Sequence, residues 1–125
     1  MQIRHLLPLA TVLSLALAGC ATTRPSLYQW GGYDQDLYAG YKDTTQMETL
    51  RVKLEATIAA LQKSGQKVAP GLNAEVGTLY LQSGAADKAV VFYKQERDAW
   101  PESVGLMTAM IQNIERRPTA AGAAK

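Results

Sequence analysis

The chain offers one thiol and one imidazole, Cys20 and His5, and neither stands in a pattern that nucleophilic or metal chemistry needs. A catalytic cysteine requires a base beside it, and a zinc site requires three or four nitrogen, sulfur or carboxylate ligands. Asp34 and Asp36 come closest to a carboxylate pair of the kind that cleaves glycosidic bonds. Two residues apart on a helix, however, they do not share a face. Their place suits a helix N-terminus, where acidic side chains satisfy backbone donors and the dipole. The remaining chemistry-bearing cluster is aromatic: "YQWGGYDQDLYAGYK", Tyr28 to Lys42, holds five of the nine rings. Tyr28, Trp30 and Tyr33 within it are the candidate contacts to a protein partner or a glycan, because Trp and Tyr give large contact area at little entropic loss.

Cys20 closes an apolar run. Arg4 and His5 form a short basic start, and Leu6 to Leu17 then supply a stretch of signal-core length, too short to span a hydrocarbon layer of about 30 Å as a helix. Leu17-Ala18-Gly19-Cys20 resembles the lipobox of bacterial lipoproteins. The resemblance implies cleavage before Cys20 and alkylation of its sulfur by a diacylglyceryl group, with small residues at Ala18 and Gly19 admitting the protease. Each acyl CH₂ placed in a bilayer contributes about 0.8 kcal/mol, so two or more chains hold durably. Ala21, where an aspartate would retain the protein in the inner membrane, implies sorting to the outer membrane. The competing reading is a buried free cysteine behind an apolar segment.

The expected organisation is therefore a cleaved signal at residues 1–19, a lipidated polar tether at 20–26, one domain at 27–116 and a disordered tail at 117–125. His5 leaves with the signal, so the mature chain is expected to hold no imidazole and no free thiol. That excludes His-dependent triads, cysteine nucleophiles and the usual zinc sets, and no cofactor is expected beyond the lipid on Cys20. Thirteen basic side chains, less Arg4, face eleven acidic ones. A body so close to neutral has no field for nucleic acid, or for an anionic lipid surface beyond the anchor.

The spacing predicts helices only. Thr45 and Glu48 have the separation of a capping box ahead of a stripe of Met47, Leu50, Leu54, Ile58 and Leu61, with Arg51, Glu55, Gln62 and Lys63 pointing elsewhere and Gly65 closing the helix. Pro70 is expected in the first turn of the next helix, which buries Leu72, Val76, Leu79 and Tyr80 and ends at Gly84. A third helix, about Asp87 to Trp100, turns Ala89, Val90, Phe92 and Tyr93 inward until Pro101 stops it, while Lys94, Glu96, Arg97 and Asp98 read as a solvated face. Ser103 is expected to cap a last helix carrying Met107, Met110, Ile111 and Ile114.

The stretch Ala74 to Pro101 resembles one tetratricopeptide repeat. Gly77 stands at the small position where two helices approach, Tyr80 at the large position after it, Gly84 at the turn, Ala89 at the second small crossing, Tyr93 at the ring position and Pro101 at the stop. Glu96 departs from the pattern, which wants alanine, and Asn73 stands where tryptophan is frequent. A constant offset pairs Tyr41, Leu50 and Leu54 with Tyr80, Ala89 and Tyr93, so an earlier, degenerate copy is expected, with Leu37, Tyr38 and Tyr41 packed on the Met47–Leu61 stripe. The fold class is all-α: tetratricopeptide-like antiparallel helical hairpins with a C-terminal capping helix. For Trp30 and Tyr33, folding back across Gly31 and Gly32 onto the bundle and exposure as a platform both stay open.

The whole layout, lipobox, then "LYQWGGYDQDLYAGYK", then a helical repeat, is similar to a family of proteobacterial lipoproteins classed as a domain of unknown function. That resemblance implies a gene neighbourhood containing a curli-type secretion channel lipoprotein. The expected role is a non-catalytic adaptor, lipid-anchored at the periplasmic face of the outer membrane, that binds a protein partner or a second copy of itself and uses no metal. Peptidoglycan or glycan binding through the aromatic cluster is the alternative.

Overall fold

The computed structural model describes residues 26–117. They form five α-helices: α1 (Tyr33–Lys42), α2 (Met47–Lys63), α3 (Leu72–Gln82), α4 (Ala86–Ala99) and α5 (Val104–Arg116). Short 3₁₀ turns at Thr44–Gln46 and Pro101–Ser103 precede α2 and α5, and no strand occurs among the described residues. Each helix packs principally on its neighbours in sequence, α1 on α2, α2 on α3, α3 on α4 and α4 on α5, with α3 and α4 the most extensive pair.

The core is the sum of the predicted stripes. Leu50, Leu54, Ile58 and Leu61 of α2 meet Leu72, Val76, Leu79 and Tyr80 of α3, Ala89 and Tyr93 of α4, and Met107 and Ile111 of α5. The connection between α2 and α3 adds Val68 and Ala69, both buried. Positive φ at Gly65 and Gly84 lets the chain reverse after α2 and α3. There the amides of Gln66 and Ala85 return to the carbonyls of Leu61 and Tyr80, both at 2.9 Å, closing each helix with the six-to-one bond that an αL residue permits.

Several local expectations need correction. The capping box at Thr45 and Glu48 does not form: α2 starts at Met47, and Asp43 instead caps the preceding 3₁₀ turn, accepting from the Thr45 amide at 3.0 Å and its hydroxyl at 2.7 Å. Glu48 is thereby free to pair with Arg51. Pro70 lies outside α3, which begins at Leu72 behind a left-handed Gly71. Ser103 makes no cap bond to α5, because its hydroxyl donates to Glu96 at 3.1 Å.

The larger correction concerns α1. Tyr38 and Tyr41 are exposed by 64% and 74% and do not join the core. The helix packs principally on α2, so a narrow stripe suffices: Tyr33 and Leu37 pack against the core and Gly40 is buried against Met47. Tyr41 is therefore not the counterpart of buried Tyr80, although Leu50 and Leu54 are buried like Ala89 and Tyr93.

Candidate interaction surfaces

Gly77 and Tyr93 show how the α3–α4 pair is built. A Cβ added at Gly77 would lie 2.7 Å from Cδ1 and Cε1 of Tyr93 and 3.2 Å from the Ala89 carbonyl oxygen. Tyr93 is fully buried, and its hydroxyl lies 3.1 Å from Thr78 Oγ1, which itself donates to the Ala74 carbonyl. Tyr80, also buried, stacks on Phe92 with centroids 5.6 Å apart and receives a hydrogen bond from Arg51 at 2.6 Å. Arg51 is thus no simple surface cation of α2: it ties Glu48 and Glu55 to the ring of α3.

Glu96 is not part of a solvated face. It is 1% exposed, and its Oε1 accepts from the Gly71 amide at 2.7 Å and the Ser103 hydroxyl at 3.1 Å. One carboxylate oxygen so joins the start of α3, the interior of α4 and the turn into α5. A buried acceptor shared by two donors fixes geometry, because either donor would be left unsatisfied without it. The sequence carried a signal for it: Ala89, Tyr93, Glu96 and Trp100 follow each other at four, three and four residues, which puts Glu96 on the inward stripe.

The aromatic cluster divides into two pairs and an outward face. Tyr28 meets the ring of Trp100 edge-on, 5.6 Å between centroids at 88°, and the ammonium of Lys67 lies 3.6 Å from the Trp100 centroid. Trp100 is buried, so the N-terminal segment is fastened onto the junction between α4 and α5. Trp30 stacks on Tyr33 at 6.1 Å and 26°, and remains 36% exposed. Gly31 lets the segment run close to α2, where a Cβ at that position would meet Thr57 Oγ1 at 2.7 Å. Burial, with the nearby Glu75 and Tyr41 adding to it, raises the Tyr33 hydroxyl above its ordinary pKa, and burial likewise raises Glu75. Beside this segment is a depression of about 250 Å³ lined by Gln29, Gly31, Thr57, Ala60, Leu61, Ser64 and Gln66. The outward face is on α1, where Tyr38 and Tyr41 stand three residues apart and Lys42 lies over the Tyr38 ring at 5.4 Å.

Asp34 and Asp36 both fall in the first turn of α1, and Asp36 forms an ion pair with Lys53 of α2. Gly84 and Pro101 mark the turn after α3 and the start of the turn before α5. Cys20 lies outside the described residues. Among the described residues there is no group of three or more His, Cys, Asp or Glu able to hold a metal ion, and no helix long and apolar enough to cross a membrane.

Fold and surface together define a small all-helical domain organised by packing and one buried carboxylate. Residues 27–110 match the model of a domain of unknown function, DUF4810, and the chain belongs to that family. Neither the curated proteins nor the solved structures contain a match to the sequence.

Proposed function

We propose that the protein is a lipoprotein, acylated at Cys20 and held at the periplasmic face of the outer membrane, that acts as a non-catalytic adaptor in an envelope assembly. The lipobox-like Leu17-Ala18-Gly19-Cys20 supports the anchor. The observation that carries the adaptor role is the outward pair Tyr38 and Tyr41, two large rings presented to solvent on one face of α1. Exposed aromatic side chains are among the residues that protein interfaces favour. The tetratricopeptide-like arrangement belongs to the same reading. The close approach at Gly77 and the burial of Tyr80, Ala89 and Tyr93 support that reading of Gly77, Tyr80, Gly84, Ala89, Tyr93 and Pro101, and a succession of helices packed on sequence neighbours leaves terminal faces for a partner. The family resemblance points to a curli-type secretion channel lipoprotein as that partner.

Glycan binding through Tyr28, Trp30 and Tyr33 has less support. Tyr28 is committed to Trp100 and Tyr33 to Trp30, so the three rings do not form one open platform.

The test has two parts. Mass spectrometry of the protein from its own cells should show an N-terminal acylated Cys20; an intact, unacylated amino terminus would remove the anchor. Photo-crosslinking from position 38 or 41 in intact cells should capture the channel lipoprotein, and Tyr38→Ser with Tyr41→Ser should abolish its co-purification. Undiminished co-purification of the double variant would remove these tyrosines from the interface.

A further inference from the structure

We propose that the N-terminal edge of the domain, through Leu27 and Trp30, rests in the interfacial layer of a phospholipid bilayer, so that this edge is the membrane-facing side of the domain. The proposal builds on the acylation of Cys20 proposed above. Leu27 lies seven positions beyond Cys20, a reach of at most about 25 Å when fully extended. An acylated chain therefore keeps this edge close to the bilayer surface.

The edge has the chemistry that an interface accepts. Leu27 is 91% exposed, the most open large apolar side chain among the described residues, although the next residue, Tyr28, is docked on Trp100. The core is thus within reach of this segment, yet leaves Leu27 out. Trp30 stacks on Tyr33 and keeps part of its surface free, and tryptophan, like tyrosine, is enriched where hydrocarbon meets headgroups. The neighbouring depression carries amide and hydroxyl groups from Gln29, Thr57, Ser64 and Gln66 and no carboxylate, so nothing in its lining repels lipid phosphates. Lys67, over the ring that Tyr28 touches, adds a positive charge on the same side.

The acylated full-length protein, purified from its own cells, is reconstituted into vesicles of phosphatidylethanolamine and phosphatidylglycerol, with or without bromine on the upper acyl chain. Trp30 and Trp100 are the only tryptophans. Brominated lipid should lower the wild-type emission by about twofold, because Trp30 sits at quencher depth. Trp30→Phe should abolish most of that quenching, since buried Trp100 then remains alone, and Leu27→Ser should weaken it. Circular dichroism checks that both variants stay helical. Mass spectrometry of the same sample reports acylation separately. An acylated, vesicle-bound protein whose quenching is absent, or the same in Trp30→Phe, overturns this proposal and leaves the anchor standing; an unacylated protein overturns both. A Trp30 emission that responds to purified peptidoglycan but not to brominated lipid also overturns it, and assigns the edge to glycan.

Discussion

Replacing Gly77 by alanine should destabilise the domain, while the same replacement at Gly105 should stabilise it. Both glycines lie within helices, so each substitution gains up to about 1 kcal/mol of helix propensity. At Gly105 nothing lies within 4 Å of the new methyl group, and the gain stands. At Gly77 the methyl group would sit 2.7 Å from two carbons of a ring that is fully buried and tethered through its hydroxyl, with the Ala89 carbonyl behind it at 3.2 Å. The ring has no room to swing away, so α3 and α4 must separate. Overpacking of this sort costs about 3 kcal/mol at the upper end, leaving a net loss of about 2 kcal/mol after the propensity gain. For a domain of this size that corresponds to a fall in Tm of about 8–16 °C, against a rise of up to about 4–8 °C for Gly105→Ala. Thermal unfolding followed by far-ultraviolet circular dichroism reads both. A Gly77→Ala variant as stable as the parent would refute the close crossing of α3 and α4.

Three other outcomes follow from the same geometry. Glu96→Ala leaves the Gly71 amide and Ser103 hydroxyl without their acceptor and should cost about 2–3 kcal/mol in urea unfolding, whereas Glu96→Gln, which keeps an acceptor oxygen, should cost about 1 kcal/mol less. Glu75 has its pKa raised by burial, so the folded state holds its proton more tightly than the unfolded state; its favourable contribution is present in acid and is lost as pH rises through the folded pKa. Glu75→Gln should accordingly be more stable than the parent at neutral pH, with the difference closing below the ordinary glutamate range, as read from denaturation midpoints across pH. Tyr41→Ala should change stability by less than about 0.5 kcal/mol because the ring is exposed, whereas Tyr80→Ala should cost about 3 kcal/mol or more.

The stripes of α2 and α3 were legible because apolar residues at three- and four-residue spacing leave few alternatives to an inward face, and Leu50, Leu54, Val76 and Leu79 are indeed buried. Glu96 was hidden by its setting: among Lys94, Arg97 and Asp98 a glutamate reads as solvated, and only the register from Ala89 through Tyr93 betrays it. Tyr38 and Tyr41 misled for a different reason. A ring suggests core, but α1 packs along one partner and needs only Tyr33, Leu37 and Gly40 for that contact. A repeat offset copies spacing and says nothing about how many neighbours a terminal helix has. Of the candidate contacts, composition marked Tyr28, Trp30 and Tyr33 as a group, yet their division between Trp100 and one another depends on a meeting of residues far apart in the chain.

If the chain is held by its amino end as proposed above, the Tyr28–Trp100 contact has a mechanical consequence. Tension arriving through the leading segment reaches this ring pair before it reaches α1, and is passed directly to the elbow ahead of α5. The first part to yield under load is then a single edge-on aromatic joint, which can open and reseat while all five helices keep their fold.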